Sequence, residues 1–282
     1  MRLTNGNVGA RGSAPGTPEL RARSGAPLLD ARHVTIRFGG LTAVSDFNLT
    51  LEPHELVGLI GPNGAGKTTI FNILTGVYQP SEGEIFVGGK PTAGCKPYDI
   101  TALGVARTFQ NIRLFKELTV LDNVKIGGHI HYTYSGTAAV LHTNRFHEAE
   151  GVAEREALDL LHIFELDQRA HDYAKNLPYG DQRRLEIARA LAARPKLLLL
   201  DEPAAGLNDR ETHVLMETIH NIRDKFDISI LLIEHHMELV MGICERIVVL
   251  NFGKTIAQGT PDHVRNDPVV IEAYLGEPVE TA

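Results

Sequence analysis

No stretch of this sequence could cross a bilayer as a helix. A spanning helix needs about 20 consecutive apolar residues. The strongest runs here, Leu197 to Leu200 and Ile228 to Ile233, are strand-sized and bounded by Lys196, Asp201 and Glu234. If the protein serves a membrane process, other chains supply the spans. A basic excess is also missing: 28 Lys and Arg stand against 35 Asp and Glu, a net charge of −7. Nucleic-acid binders carry a basic patch or stripe, so nucleic acid is not an expected partner. Cysteine is scarce. Cys95 and Cys244 lie far apart and make neither a disulfide framework nor a metal-ligand spacing, so two reduced thiols are expected. What remains is an ordinary globular balance, 43% hydrophobic and 22% charged, able to bury a core.

Residues 1–27 are rich in Gly, Ser, Pro and Ala and carry Arg2, Arg11, Arg21 and Arg23 against Glu19. Without an apolar core this stretch is no signal peptide, and it reads as a disordered tail. Order is expected from Leu28. Leu28 to Phe38, Phe47 to Leu51, Leu56 to Ile60 and Glu84 to Val87 read as strands, the last preceded by a turn at Ser81, Glu82 and Gly83. Their closeness in sequence predicts hairpins. A helix is expected after Gly66 through Leu74. From about Tyr98 to Ala192 strand signals thin out and helical periodicity dominates, as in Ala153 to Phe164. Buried strands then resume at Lys196 to Leu200, Ile228 to Ile233 and Arg246 to Leu250. Helical stretches separate them, which predicts parallel pairing through crossover helices. The fold class is therefore α/β: a core with an N-terminal antiparallel β part and an inserted helical subdomain over about 98–192. Residues 127–150 hold His129, His131, His142 and His147 without a Cys or carboxylate at ligand spacing, and read as a polar surface insertion.

Gly61-Pro62-Asn63-Gly64-Ala65-Gly66-Lys67-Thr68 fits the pattern G-x-x-x-x-G-K-[ST], with Thr69 following. Glycines let backbone N–H groups turn inward around phosphates without a Cβ in the way. The lysine reaches the β and γ phosphates, and the threonine hydroxyl ligates Mg²⁺. The helix that follows aims its positive end at the anion. The motif needs a strand, a loop and a helix in that order, which Leu56 to Leu74 supplies. By itself it marks a phosphate-binding P-loop shared by kinases, GTPases and helicases.

Lys196 to Pro203 is a buried strand ending in two acids. Asp201 is placed to hold Mg²⁺, directly or through water. Glu202, one residue on, can accept a proton from the attacking water or orient it.

Further features resemble one superfamily, the ABC (ATP-binding cassette) ATPases. Leu177-Pro-Tyr-Gly180-Asp-Gln182 before Arg183 to Ala190 is similar to the family's signature and its helix. Gln110 in Thr108-Phe-Gln resembles the Q-loop glutamine, which also touches the metal. His235 resembles the switch histidine, Ala205-Gly-Leu-Asn208 the D-loop, and Phe38 the aromatic that stacks on adenine. The resemblance covers 28–278, leaving 279–282 as a C-terminal tail. It implies a P-loop NTPase (RecA-like) core that binds ATP and Mg²⁺. Two ATPase domains would pair head to tail, so that Gly180 and its neighbours face the partner's ATP. Within the superfamily, Arg37 to Val44, Arg107 to Phe115, Asp201 to Asn208, Leu232 to His235 and Asn266 to Gly276 resemble one ATPase of the bacterial high-affinity branched-chain amino acid importer. That implies a second ATPase chain, two permease chains and a solute-binding protein acting through the permease. It also implies a peripheral position on the cytoplasmic face of the inner membrane. ATPases of urea and short-amide importers are similar. A soluble ABC protein acting on nucleic acid or ribosomes is the further alternative, and the acidic balance and single cassette count against it.

The sequence departs from the superfamily pattern. Pro178 stands for the signature serine, Tyr179 for its first glycine, Asp181 for its glutamine, Asn208 for the D-loop aspartate, and His236 follows the switch histidine. Proline removes a hydroxyl and has no N–H, so the two ATP sites of a heterodimer are expected to be unequal.

Overall fold

The uninterrupted apolar runs become the middle of a sheet. The computed structural model describes residues 26–132 and 143–275. Residues 1–25 of the expected tail 1–27, His142 and the expected C-terminal tail 279–282 lie outside the described residues. Strands β3 (Leu56–Ile60), β7 (Leu197–Asp201) and β8 (Ser229–Ile233) are buried at every residue. A strand buried on both faces has no need of polar alternation. They join β6 (Val105–Arg107), β9 (Arg246–Asn251) and β10 (Lys254–Gly259) in a six-stranded sheet of order β10-β9-β3-β8-β7-β6. All neighbours are parallel except the β9–β10 hairpin. Successive side chains point to opposite faces, so each run feeds two cores. Leu198, Leu200, Ile230 and Leu232 enter one, while Leu197, Leu199, Leu231 and Ile233 enter the other.

A second sheet, order β2-β1-β4-β5, is antiparallel and packs on the latter core. It comprises β1 (Leu29–Phe38), β2 (Leu41–Leu51), β4 (Glu82–Val87) and β5 (Lys90–Pro91). Helix α1 (Lys67–Leu74) lies between the two sheets, burying Ile70, Phe71, Ile73 and Leu74. The short helix α2 (Pro97–Ala102) leads into β6. Helices α3 (Val120–Gly127), α4 (Asn144–Ile163) and α5 (Tyr179–Ala192) pack on one another between β6 and β7. Then α6 (Asp209–Phe226) connects β7 to β8 and α7 (Met237–Ile243) connects β8 to β9. Helices α8 (Pro261–Arg265) and α9 (Pro268–Leu275) end the described chain.

Three elements differ from the sequence-based expectation. β3 leaves its neighbours in sequence for the parallel sheet, because Leu-Val-Gly-Leu-Ile has no polar face to give to solvent. β6 lies inside the stretch read as helical. At three residues it is too short to show a period, and its pairing with Leu197 to Leu199 supplies what its sequence does not. The turn expected at Glu82 and Gly83 is strand, since Glu82 pairs with Thr35.

The register fixes where chemistry can occur. Leu59 is level with Ile233 and Val248, and Asp201 with Ile233. The residues following β3, β7 and β8 therefore emerge together at the carboxyl edge of the sheet, where open α/β sheets bind ligands.

Candidate active site

The loop after β3 is built for close approach of backbone to a ligand. Gly61 has φ 149°, and a Cβ there would lie 2.1 Å from the Leu250 carbonyl oxygen. Only glycine lets the chain leave β3 in this direction. The loop returns into α1, whose first residue is Lys67. Its side chain is 5% exposed, and its ammonium donates to the carbonyls of Gly61 at 2.7 Å and Pro62 at 3.0 Å. Burial holds the lysine pKa below its ordinary value, and the nearby Glu202 and Asp201 carboxylates oppose that shift. A cavity of about 510 Å³ opens over the loop, lined by Asn63 to Thr69 together with Gln110, Glu202 and His235. The geometry brings the predicted lysine, threonines, glutamine, glutamate and histidine to one opening.

Asp201 ends β7 and is 3% exposed. Its carboxylate accepts a hydrogen bond from Arg107 Nη2 at 2.7 Å, and Arg107 Nη1 donates to Asn72 Oδ1 at 2.7 Å. Arg107 was legible only as part of a resemblance. Its role follows from β6 lying beside β7. Glu202 takes φ 47°, a left-handed conformation a non-glycine residue holds only when its surroundings demand it. Those surroundings are clear: its N–H donates to Ile233 O at 2.9 Å, Gln110 Nε2 donates to its Oε2 at 2.7 Å, and His235 Nε2 lies 3.0 Å from its Oε1. One carboxylate is thus oriented by two side chains from separate loops.

Glu234 is a further residue the sequence reading passed over. It is 3% exposed, and its carboxylate accepts from the backbone N–H of Ala204 at 2.7 Å, His235 at 2.9 Å and His236 at 3.2 Å. It pins the loop after Glu202 to the loop of His235. Phe38 ends β1, is 44% exposed, and sets its ring edge-on to Tyr78 at 5.2 Å. It is not among the residues lining the cavity. Phe252, in the β9–β10 turn, is among them and is 86% exposed. No periodicity marks a turn phenylalanine, so nothing in the sequence singled it out.

Gly180 does not join this cavity. It lies in the first turn of α5, beside Pro178, Asn208 and Glu211, in a separate cavity of about 420 Å³. Pro178 takes the position before the helix, which opens at Tyr179. Asn208 caps α6, accepting from Glu211 N while Glu211 accepts from Asn208 N, each at 3.0 Å.

A strand, a glycine loop closing on a buried lysine, and a carboxylate gripped by a glutamine and a histidine define a nucleotide-hydrolysing P-loop cassette. The ABC transporter family model matches residues 44–205, and a model named for the branched-chain amino acid ATP-binding cassette transporter matches residues 254–280. The chain belongs to the ABC transporter family, as an ATP-binding protein that hydrolyses ATP. It is 49% identical over 251 residues to the high-affinity branched-chain amino acid transport ATP-binding protein LivG of Escherichia coli (strain K12), covering 89% of this chain and 98% of that one. The corresponding protein BraF of Pseudomonas aeruginosa is 47% identical over 251 residues, with the same shares of each chain. The solved ADP conformation of an ATP-binding cassette of an ABC transporter aligns with a TM-score of 0.77 at 29% identity, over 89% of this chain and 99% of that one.

Proposed function

We propose that this chain is the ATP-hydrolysing subunit of an importer for branched-chain amino acids. Glu202 would be the base and Lys67 the main phosphate ligand. The observation that carries the hydrolytic part is the placement of Glu202 at the cavity of Lys67, with one oxygen on Gln110 and the other on His235. Similarity to LivG and BraF over nearly their whole length, together with the match over 254–280, supports the solute class.

The residues act as follows. The N–H groups of the Gly61 to Thr69 loop and the start of α1 receive the phosphates. Lys67 exchanges its bonds to Gly61 O and Pro62 O for phosphate oxygens, so its charge is never left without acceptors. Phe38 stacks on the base. Glu202 takes the proton of the attacking water, and His235 with Gln110 keeps its carboxylate aimed. Thr68, Gln110 and Asp201 would hold Mg²⁺, which neutralises charge on the phosphates. Among the described residues no group of three or more His, Cys, Asp or Glu could enclose a metal. A hydroxyl, an amide oxygen and a carboxylate are hard oxygen donors of the kind Mg²⁺ takes beside phosphates and water. Gly180 and the start of α5 serve the ATP of a second ATPase chain, since this face stands apart from the chain's own cavity. Residues 28–278 form the ATPase unit, with about 98–192 as its helical part. Among the described residues no helix is long and apolar enough to cross a membrane. Two permease chains supply the spans, a solute-binding protein delivers cargo to them, and this chain sits at their cytoplasmic face.

Reconstitution in vesicles with its permeases, partner ATPase and binding protein tests the proposal. ATP-dependent uptake of leucine is expected, and it is lost with Glu202→Gln. Uptake of urea without leucine would replace the solute, and ATP hydrolysis unlinked to either would remove the importer assignment.

A further inference from the structure

Two side chains of α5 reach further into the site than the helix itself. The Tyr179 hydroxyl donates to Ala205 O at 3.0 Å and accepts from Arg183 Nη2 at 3.0 Å. Arg183 is 1% exposed; Nη2 also donates to the carbonyl of Gln110 at 2.7 Å, and Nη1 to that of Phe109 at 2.8 Å. Its charge faces Glu186, one turn on, at 3.2 Å. Burial pushes the Glu186 carboxyl up, and the neighbouring Arg183 opposes that. A buried ion pair gains little stability over apolar packing, because desolvation offsets the attraction. The geometry it fixes is a better account of its presence. The Tyr179 ring also lies against Gly206, where φ is +80° and a Cβ would come within 3.1 Å of Cε1.

These bonds close a ring. Tyr179 holds Ala205, whose N–H donates to Glu202 O at 3.1 Å. Arg183 holds Gln110, whose side chain donates to the Glu202 carboxylate at 2.7 Å. The start of α5 therefore grips the chain on both sides of Glu202.

We infer that Tyr179 and Arg183 are positioning residues that lock the start of α5 to Glu202, so that nucleotide contact at Gly180 is transmitted to this chain's own base. The inference rests on Glu202 being that base. A shift of α5 moves Arg183, and with it the Gln110 carbonyl and the amide seated on Glu202. It also moves Ala205 through the tyrosine hydroxyl. The device depends on the tyrosine, because a glycine at 179 would leave the Ala205 carbonyl and one Arg183 donor without this partner.

The test is a cycle on the full-length chain, reading ATP affinity, kcat and melting temperature for Tyr179→Phe, Gln110→Ala and the double variant, with Glu202→Gln as control. Phenylalanine keeps the ring and deletes one hydroxyl. Tyr179→Phe is expected to keep its melting temperature, hold ATP affinity within about twofold, and lower kcat roughly three- to tenfold, the scale of one hydrogen bond. In the Gln110→Ala background, where the ring is already open, the same change is expected to cost less than about twofold. A purely structural tyrosine would lower kcat by the same factor in both backgrounds, and that result or an unchanged kcat overturns the inference. Arg183→Lys, which keeps the charge on Glu186 but loses the fork, carries the same expectation and replaces Tyr179→Phe if that variant does not fold. Persistent hydrolysis by Glu202→Gln would overturn the base assignment and the inference with it. An inert Glu202→Gln beside a wild-type Tyr179→Phe overturns the inference alone.

Discussion

The loop around Lys67 and the start of α5 are built on opposite plans. At the sheet edge every charged group has its partner within the chain: Lys67 on its own loop carbonyls, Asp201 on Arg107, Glu202 between Gln110 and His235. At the start of α5 the helix begins behind a proline, with no side chain bonded to its first-turn N–H groups. Helices α3, α4, α6 and α8 each have such a cap, from Thr119, Thr143, Asn208 and Thr260. Helices α1 and α7 share the uncapped start with α5. The first four N–H groups of a helix need acceptors, and an anion is a fitting one. The difference teaches that the first region meets its charges from within the chain, while the second leaves helix-end donors open, as the proposed half-site for a partner's ATP requires.

The sharpest way to break this comparison is Glu202→Gln. It is expected to reduce hydrolysis by about 10²- to 10⁴-fold, the reach of general base catalysis, while ATP binding persists. A phosphate-release assay beside a nucleotide-binding assay checks both. Next in size is Arg107→Leu, which leaves Asp201 buried and unpaired. It is expected to cost about 3–5 kcal/mol of stability, read from denaturant unfolding, and a loss under 1 kcal/mol would show that Asp201 does not depend on this arginine. Lys67→Ala removes a charge-assisted phosphate contact and is expected to weaken ATP binding by about 1.5–3 kcal/mol. Calorimetric titration measures it. Phe38→Ala is expected to weaken binding of ATP and GTP alike by about 1–2 kcal/mol, as for base stacking. Unchanged binding would pass the stacking role to another ring, with Phe252 at the cavity the first to try. The smallest effect belongs to the half-site. Pro178→Ser adds one hydroxyl beside Gly180 and is expected to strengthen ATP binding at the partner chain's loop by about 0.5–1.5 kcal/mol, with this chain's own cavity unaffected. No gain there would mean that Gly180 and the helix start suffice.

Much of the molecule can be read from local pattern, because its strongest signals are local. Leu56 to Ile60, Leu197 to Leu200 and Ile228 to Ile233 are apolar at every position, which fixes them as strands buried on both faces. The glycines and lysine of 61–67 fix a phosphate loop, since that spacing serves little else. Other parts had no such signal. β6 is too short to declare itself, and it decides that Arg107 meets Asp201 across strands 94 residues apart in sequence. Glu234 and Arg183 look like ordinary charged residues in sequence, and their burial is set by elements that arrive from elsewhere in the chain. By itself the sequence determined the nucleotide chemistry, because phosphate binding depends on contiguous backbone and one lysine. Only the tertiary structure decided how Glu202 is aimed and how α5 is tied to it, because those contacts join the ends of β7 and β8, the loop after β6 and the start of α5, which nothing short of the folded sheet brings together.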